Sequence, residues 1–379
     1  MTPAAADGLA QAVRLRAIAR AADLSACGKA AVFLQSAFWG SFKARFGWEA
    51  LAFEVQWEDS GGVSVTPLLV LRRSFRLGMA VRFSLAYIPW GPELPAGVDT
   101  AADRWSALNE LAATLVKKLP PDTVFIRFDP PWHTAEQTPP ASAPPPFVRA
   151  GADIQAPDTV LIDLAPPLEE ILAQMKPKWR YNARLALKKG VTVRRAAAEE
   201  MPLFYELLKE TARRDGIAIH SAEYYRALLD GGNVGNGGGA NADIDTRLYL
   251  AEHEGELLAG IVTLFRGREA VYLYGASSDK KRNLMAPYAL QVQAMEDAKA
   301  AGCAEYDLFG IAPSGDPSHP MAGLYRFKTG FGGRIVHRPG SWDFPCRPLV
   351  YFFFRTAEAL RKKLRTFRKK KKRSEAGGL

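Results

Sequence analysis

Hydrophobic and polar positions alternate along the chain in a way that predicts two successive α/β units. In the first, helical spacing in AAVFLQSAFWGSFKARFG is followed by strand-like alternation in LAFEVQWED, GVSVTPLLVLRR and MAVRFSLAYIP. A helix at Arg104–Leu119 then leads into the apolar strand TVFIRFD. The prolines between Pro130 and Pro146 exclude a helix interior or a central strand. This stretch is therefore predicted to be a linker or a surface loop.

The second unit begins near Ile154 with the strand TVLIDL, a helix from Pro167 and a basic helical stretch, KPKWRYNARLALKKG, that ends at Gly190. The strand VTVRRA and the helix FYELLKETARRDG follow. Beyond the glycine-rich DGGNVGNGGGANADID, alternation in RLYLAEHEGELLAGIVTLFRG and AVYLYGASS predicts a hairpin with a partner strand. A helix from Pro287 to Ala301 then precedes the strand AEYDLFGI. The second unit is thus also α/β.

The two units share one layout. The helix LNELAATLVKKL before VFIRFDPP corresponds to YALQVQAMEDAKAAG before EYDLFGIAP, and each strand carries an aspartate near its end, Asp129 or Asp307. The alternative is that βαβ proteins commonly show such a layout. We predict a first domain at residues 24–150, a second at 151–345, and a C-terminal amphipathic basic helix with a disordered tail at 346–379.

Composition and charge narrow the class of protein. The 379 residues are 48% hydrophobic and carry a formal net charge of +10, which excludes a disordered or fibrous chain and favours two globular domains. Residues 355–373 hold eleven Lys or Arg and one acid, Glu358, so the rest of the chain balances at 39 basic and 39 acidic residues. Apolar runs are too short to span a bilayer, and the N-terminus does not read as a secretory signal. We expect a cytoplasmic protein.

Several catalytic motifs are missing from the sequence. It contains no GxxxxGK[ST], no GxSxG and no HExxH, which argues against nucleotide hydrolases, serine hydrolases and zinc hydrolases. Cys27, Cys303 and Cys346 are too far apart for a zinc site or a disulfide framework. A CoA-dependent acetyltransferase would need a glycine-bearing loop at a helix N-terminus, where this chain has Met285. We therefore expect neither a metal nor a cofactor.

Nine stretches occur in an order that is specific as a set, although each is weak alone. They are FLQSAFWGSFKARFGW, AYIPWGP, FIRFDPP, IQAPDTVLIDL, KWRYNARLALKKGV, TARRDGIAIHSAEYY, LYGASS, AEYDLFGI and LYRFKTGFGG, which together extend from about Phe33 to Pro345. In this order they resemble the FemA/FemB/FemX family of aminoacyltransferases, which build peptidoglycan interpeptide bridges. The resemblance implies an α/β (α+β) fold of two GCN5-type N-acetyltransferase-like domains. It also implies transfer of an amino acid from aminoacyl-tRNA to a side-chain amine on the stem peptide of a lipid-linked or UDP-linked peptidoglycan precursor.

Some members of that family carry a long helical arm in the second domain. The corresponding region here offers only the glycine-rich residues Gly231–Gly239. The chain therefore resembles the compact, armless type.

The resemblance also places residues at the reaction centre. A Phe-Lys pair of the family matches Phe327 and Lys328, which implies that Lys328 stabilises an oxyanion or the tRNA 3′ end while Phe327 stacks. Asp129 matches a carboxylate of the acceptor site, where it would orient or deprotonate the attacking amine. The residues alone also allow Lys328 to be a surface lysine on a hairpin, and Asp129 to cap a turn at the end of a strand.

Further residues match the family's acceptor site. Lys43 and either Arg213 or Arg214 are implied to bind the diphosphate of the precursor, and the sequence does not choose between the two arginines. Tyr87 and Tyr274 would line the pocket by hydrogen bonding. The alternatives are a solvated helix face for Lys43 and core positions for the two tyrosines.

The basic helical stretch of the second unit is a candidate tRNA contact. Cations alternate there with Trp179 and Tyr181, a composition that suits a phosphate backbone. The candidate residues are Lys176, Lys178, Arg180, Lys188 and Lys189, with Arg184 beside them. A helix whose charged face is merely solvated is the alternative.

The C-terminal segment has apolar residues at helical spacing opposite a basic face, namely Leu349, Phe353, Leu360, Leu364 and Phe367. Such a helix could dock on the first domain, lie on an anionic membrane at the inner face of the plasma membrane, or contact tRNA.

The sequence leaves two competing functions of the protein open. One is acyl-CoA-dependent N-acyl transfer on the same fold, and the other is a non-catalytic membrane-surface adaptor.

Overall fold

The structure is a computed structural model that describes residues 15–59, 61–77, 81–133, 143–232 and 244–360. Its strands are β1 (Arg16–Ala22), β2 (Glu49–Asp59), β3 (Gly62–Leu77), β4 (Val81–Ile88), β5 (Thr123–Phe128), β6 (Val148–Arg149), β7 (Thr159–Asp163), β8 (Thr192–Ala196), β9 (Ile244–His253), β10 (Glu256–Arg266), β11 (Glu269–Ser277), β12 (Glu305–Asp307), β13 (Arg334–Val336) and β14 (Trp342–Pro345). Its helices are α1 (Ala37–Ala44), α2 (Ala101–Val116), α3 (Leu168–Gln174), α4 (Pro177–Lys188), α5 (Met201–Asp215), α6 (Ala222–Gly231), α7 (Ala286–Ala300), α8 (Ala322–Thr329) and α9 (348–360).

The described strands form two mixed sheets of seven strands each. The first has the order β1-β2-β3-β4-β5-β14-β6 and the second β13-β7-β12-β11-β10-β9-β8. Each sheet has one parallel pair, β4 with β5 and β11 with β12, and its other pairs are antiparallel. A helix crosses over between the two parallel strands in both units, α2 in the first and α7 in the second. The shared layout predicted from sequence is therefore confirmed.

The predicted domain boundaries need correction. Strand β1 precedes residue 24 and pairs with β2, so the first unit begins earlier than predicted. Strand β14 lies inside the predicted second domain, 151–345, but pairs with β5 of the first sheet. It occupies the place that β7 occupies in the second sheet, next to the shorter strand of the parallel pair. The edge of β5 would otherwise expose unpaired backbone groups, which explains why the end of the chain returns to the first unit.

Two cores lie under the sheets and a third joins the units. The first sheet packs on α2 through residues such as Trp105 and Leu111, and the second packs on α4 and α7 through residues such as Trp179 and Leu290. Between them, Phe42 of α1 meets Tyr224 of α6 with ring centroids 4.7 Å apart. Helix α1 is shorter than its predicted stretch, and α6 and α8 are additional to the predicted elements. The joining core brings α1, α6 and β11 together at the cleft between the units.

Helix α9 packs on the first sheet, but with a different face from the predicted one. Val350, Tyr351 and Phe354 face β5, whereas Leu349 and Phe353 of the predicted apolar face are exposed. Residues Leu364 and Phe367, the basic tail and most of the glycine-rich segment lie outside the described residues. Within the part of the chain that the structure describes, no helix is both long and apolar enough to cross a membrane.

Candidate active site

The first half of the site forms where β5 ends. Asp129 follows the last residue of β5 and is only 3% exposed. The hydroxyl of Tyr87, on the parallel neighbour β4, donates a hydrogen bond to Asp129 Oδ2, and the hydroxyl of Ser341, just before β14, donates to Oδ1. The backbone N–H of Gln155 also donates to Oδ2, at 3.4 Å. Two residues predicted separately from sequence, Tyr87 and Asp129, are therefore direct partners, and three donors fix the carboxylate.

Burial decides how these two groups titrate. It raises the pKa of Asp129 to about 6, although hydrogen bonds from Ser341 and Tyr87 oppose the rise and the nearby Asp153 adds to it. Burial and the neighbouring carboxylate also raise the pKa of Tyr87 well above its usual value. Tyr87 thus stays a proton donor while Asp129 changes its charge close to neutral pH.

Lys43 lies in a cage of aromatic rings. Its Nζ is 5.4 Å from the ring centroid of Trp39, 6.0 Å from that of Trp48 and 5.3 Å from that of Tyr224. Burial, together with the positive charge of Arg73, lowers the pKa of Lys43 to about 8. Lys43 is therefore a half-buried cation at the joint of the two units, not a residue of a solvated helix face.

The cage connects Lys43 to other predicted residues. The hydroxyl of Tyr274 donates to the hydroxyl of Tyr224 at 3.5 Å, and the rings of Trp48 and Tyr87 lie 6.1 Å apart. Sequence reasoning missed Tyr224, although it is part of the IHSAEYY stretch. It also missed His220, whose ring stacks on Tyr224 at 3.9 Å and whose pKa is lowered by burial and by Lys43.

The second half of the site centres on Lys328. This residue lies in α8 and is 5% exposed, so the interpretation as a surface lysine on a hairpin was wrong. Its Nζ donates to the backbone carbonyls of Phe309, at 3.2 Å, and Gly310, at 3.0 Å, and lies 5.1 Å from the ring centroid of Tyr272. Burial lowers the pKa of Lys328 to about 7, against the opposing effect of Asp307. Lys328 is thus poised to carry or release its proton at neutral pH.

Asp307 shapes the loop that holds Lys328. It is the last residue of β12 and is fully buried. Its Oδ1 accepts hydrogen bonds from the hydroxyl of Thr159 and, at 2.7 Å, from the backbone N–H of Phe309. Phe309 has a φ of 58°, an uncommon left-handed conformation for a residue other than glycine. Asp307 therefore fixes the strained turn whose carbonyls receive the ammonium group.

A contact between the units links these two centres. The ring of Phe309 lies 5.5 Å from that of Trp90, and the guanidinium of Arg338 lies 4.2 Å from the same Trp90 ring. Next to Trp90, the N–H of Gly91 donates to the backbone carbonyl of Asp129 at 3.1 Å. The backbone around Asp129 and the turn that holds Lys328 are thus connected through Trp90 and Phe309.

The basic helix α4 is attached directly to the segment that carries Lys328. The indole N–H of Trp179 donates to the carbonyl of Phe327 at 2.8 Å, and the N–H of Lys176 donates to the carbonyl of Gly330 at 2.9 Å. The ring of Phe327 is half-buried and meets the ring of Tyr288 at 5.4 Å. The packing of Trp179 explains its burial, which removes it from the set of aromatic residues available to a ligand.

The exposed face of α4 keeps most of the predicted cations. The exposed ones are Lys176, Lys178, Arg184, Lys188 and Lys189. Arg180 differs, because its guanidinium donates to the carbonyls of Ala173, at 2.5 Å, and Met175, at 2.7 Å. These bonds cap the end of α3 with one guanidinium nitrogen, and the half-buried Arg180 is thus less free than its exposed neighbours.

The two candidate arginines lie at the end of α5. The guanidinium of Arg214 donates to Asp215, to Asp279 and to the carbonyl of Ser277, which ties it to the end of β11. Arg213 is exposed on the same turn. The charge of Arg214 is already paired, so Arg213 is the better placed of the two for an incoming anion.

Metal ligation finds no support in the described residues, where no group of three or more His, Cys, Asp or Glu side chains could hold an ion. Cys27, Cys303 and Cys346 are free thiols. Burial raises the pKa of Cys27 to about 12, which makes it a poor nucleophile.

The family model of the FemAB family matches residues 147–231 and 246–359, which is more than half of the chain. The chain belongs to the FemAB family. The resemblance inferred from sequence is therefore confirmed, and the match includes α4, Tyr224, Tyr274, Lys328 and β14.

Two curated relatives of this FemAB protein are named lipid II:glycine glycyltransferase. The one from Staphylococcus epidermidis (strain ATCC 12228 / FDA PCI 1200) is 25% identical over 238 residues, which cover 48% of this chain and 57% of the relative. The one from Staphylococcus aureus (strain USA300) is 25% identical over 241 residues, again covering 48% of this chain and 57% of the relative. The aligned region thus spans little more than half the length of these relatives.

The crystal structure of FemX gives the fold comparison. It superposes with a TM-score of 0.70 at 20% identity and covers 88% of this chain and 96% of FemX. The predicted fold class, a mixed α/β chain of two units, is confirmed by this similarity and by the two sheets.

Proposed function

We propose that this FemAB protein transfers an aminoacyl group from aminoacyl-tRNA to an amine on the stem peptide of a peptidoglycan precursor. Family membership and the names of the relatives support this reaction class. The observation that carries it is the attachment of the exposed cationic helix α4 to the segment that bears the buried Lys328. A basic surface leading to a buried lysine suits a long polyanion with a reactive end.

The reaction asks for alignment more than for a protein nucleophile. The amine attacks the ester carbonyl, a C–N bond forms, and the C–O bond to the ribose breaks. The proton lost by the amine ends on the ribose oxygen, and negative charge develops on the carbonyl oxygen in between. An enzyme accelerates these steps by holding the reactants together, accepting the proton and stabilising the oxyanion.

Lys328 is proposed to stabilise that oxyanion. An ammonium group has three N–H donors, and two of them are used by the carbonyls of Phe309 and Gly310. One donor therefore stays available to a ligand, in a buried setting where a charge acts strongly. Phe327, next to Lys328 on α8, is proposed to pack against the 3′ end of the tRNA with the exposed part of its ring.

Asp129 is proposed to orient the attacking amine and accept its proton. Its pKa of about 6 leaves it mainly ionised at neutral pH and still able to take a proton. Tyr87 and Ser341 hold both carboxylate oxygens in place.

The acceptor is proposed to bind beside the row of aromatic side chains that runs from Tyr274 past Lys43 and Trp48 to the buried Tyr87. Lys43 and the exposed Arg213 supply positive charge for the diphosphate of a lipid-linked or UDP-linked muropeptide. A lipid-linked acceptor would bring the protein to the inner face of the plasma membrane. The amino acid transferred and the accepting amine are left to experiment.

The donor is proposed to lie across α4. Lys176, Lys178, Lys188 and Lys189 are exposed on that helix and can neutralise phosphates, with Arg184 beside them. Because the rest of the chain outside residues 355–373 has balanced charge, this local cluster is the main source of attraction for tRNA at the site. Raising the salt concentration should therefore weaken the donor complex.

A reconstituted transfer assay tests the proposal. The purified chain would be incubated with a mixture of charged tRNAs and either a lipid-linked or a UDP-linked muropeptide, and the products analysed by mass spectrometry. We expect one amide-linked aminoacyl addition that depends on the charged tRNA. Double substitution of Lys188 and Lys189 with alanine should raise the KM for tRNA while leaving the maximal rate near normal. A lack of transfer from every charged tRNA would refute the proposal, and transfer from an acyl-CoA would identify the alternative enzyme class.

A further inference from the structure

The outer face of α9 carries large apolar side chains in contact with solvent. Leu349 is 79% exposed, Phe352 65%, Phe353 70% and Leu360 58%. At about 100° of rotation per residue, these four positions fall within an arc of roughly 100° on one side of the helix. Apolar surface grouped in this way marks an interaction site more often than scattered exposure does.

The inner face of α9 is fixed, so this outer face cannot turn inward. The ring of Tyr351 lies 5.3 Å from that of Phe125, and its hydroxyl donates to Asp343 Oδ2 at 2.9 Å. The ring of Phe354 lies 5.1 Å from the same Phe125 ring. Aromatic packing and a buried hydrogen bond thus hold α9 on the first sheet with its apolar residues pointing outward.

A run of positive charge follows the exposed face along the chain. Residues 361–373, which follow α9 directly, include ten Lys or Arg and no acid. An apolar stripe followed by a run of cations is the composition of helices that lie in the interface of an anionic membrane.

We propose that the outer face of α9 docks on an anionic lipid bilayer, with Phe352 and Phe353 inserted at the level of the headgroups. A second copy of the chain is the less suitable occupant, because pairing two such faces would bring two segments of ten cations together. A tRNA would use the cations but would leave the apolar stripe in water. The bilayer is the partner that satisfies both features, and its binding does not depend on the transfer reaction.

Vesicle co-sedimentation of the full chain tests this surface. The vesicles would be phosphatidylcholine alone or phosphatidylcholine with about one third phosphatidylglycerol, a composition with strong negative surface charge. The double variant Phe352→Ser, Phe353→Ser keeps the charge unchanged and removes the apolar anchors. The matched control is Val63→Ser, Val65→Ser, since these residues are 64% and 58% exposed near the start of β3.

We expect the wild type and the valine control to bind anionic vesicles and to bind neutral vesicles only weakly. The phenylalanine variant should bind anionic vesicles about tenfold less tightly or worse. Replacing Lys369, Lys370, Lys371 and Lys372 with glutamine should also weaken binding, mostly at low salt. Unchanged binding by the phenylalanine variant would overturn the proposal. So would a wild-type dimer in sedimentation velocity that this variant dissociates, since the face would then join two copies.

Discussion

The two units place a buried aspartate at equivalent positions and surround it differently. Asp129 follows β5 and Asp307 ends β12, the shorter partner in each parallel pair. Each accepts a hydrogen bond from a hydroxyl group at the start of the neighbouring antiparallel strand, Ser341 before β14 and Thr159 at the start of β7. The repeated scaffold therefore repeats its buried carboxylate and the hydroxyl that orients it.

The two carboxylates differ in the charged groups that lie beside them. Burial raises the pKa of both carboxyl groups. The cations Arg338 and Lys328 oppose that rise for Asp307, whereas the nearby carboxylate of Asp153 adds to it for Asp129. A phenol, Tyr87, takes the place of a cation beside Asp129. One aspartate is thus suited to exchange a proton and the other to support a neighbouring lysine. A duplicated framework can reach two chemical tasks by changing a few adjacent side chains.

The largest loss of rate should follow from removing Lys328, the cation beside Asp307 in the second unit. Lys328→Ala deletes the proposed oxyanion donor, and loss of one such donor typically lowers the rate by about 10²–10³-fold. The single-turnover rate with bound aminoacyl-tRNA measures this step. Lys118→Ala is the matched control, because it removes an exposed lysine just after the end of α2 that has no proposed role in binding, and it should leave that rate unchanged. A normal rate in Lys328→Ala would show that Lys328 has only a structural role.

Removing the charge of Asp129 and of Asp307 should lower the maximal rate of transfer by different amounts. Asp129→Asn removes the proposed proton acceptor and is expected to lower the maximal rate about 10²-fold. Asp307→Asn keeps an oxygen that can accept from the Phe309 N–H. It should lower the maximal rate only about tenfold, because Asp307 acts through Lys328. Since the charge of Asp307 raises the pKa of Lys328, this variant should also lose activity at lower pH than the wild type. If both variants lost the same fraction of the rate and neither shifted the pH profile, the two aspartates would not differ in function.

The pH profile of the wild type should show both groups. Activity should rise as Asp129 ionises, around pH 6, and fall as Lys328 loses its proton, around pH 7. Tyr87→Phe removes a hydrogen bond that lowers the pKa of Asp129, so the rising limb should move to higher pH and the rate below neutrality should drop about threefold. The falling limb should stay in place. A shift of the falling limb instead would mean that Tyr87 acts on the lysine centre.

Sequence predicted the individual elements better than their neighbours in space. Periodicity located most strands of both sheets, but β1 was not predicted. Strand β14, four residues long and ending in Pro345, joins a strand more than 200 residues earlier in the chain, and local alternation carries no signal for that pairing. The residues alone allowed Lys328 to be a surface lysine on a hairpin, whereas it is buried and the carbonyls of a distant turn receive its ammonium group.

The candidate site shows the same limit. Tyr87 and Asp129 were each identified from family motifs, but their hydrogen bond follows from the parallel register of β4 and β5. The cage around Lys43 combines α1 with α6, and no local pattern of residues indicates that contact. Asp307 was noticed only as an echo of Asp129. Its relation to Lys328 became visible only in the fold, where the turn at Phe309 bonds both to Asp307 and to the ammonium group of Lys328.

The smallest effects should come from the two equivalent hydroxyl groups. Ser341→Ala and Thr159→Val each remove one donor to a buried carboxylate, so both should lower the free energy of unfolding by about 1–3 kcal/mol in denaturant titrations. Their pH profiles should differ. Loss of Ser341 raises the pKa of Asp129 and moves the rising limb to higher pH. Loss of Thr159 raises the pKa of Asp307, which weakens support for the Lys328 cation and moves the falling limb to lower pH. If both variants moved the same limb, the two carboxylates would belong to one coupled group, and the division of tasks between the units would not hold.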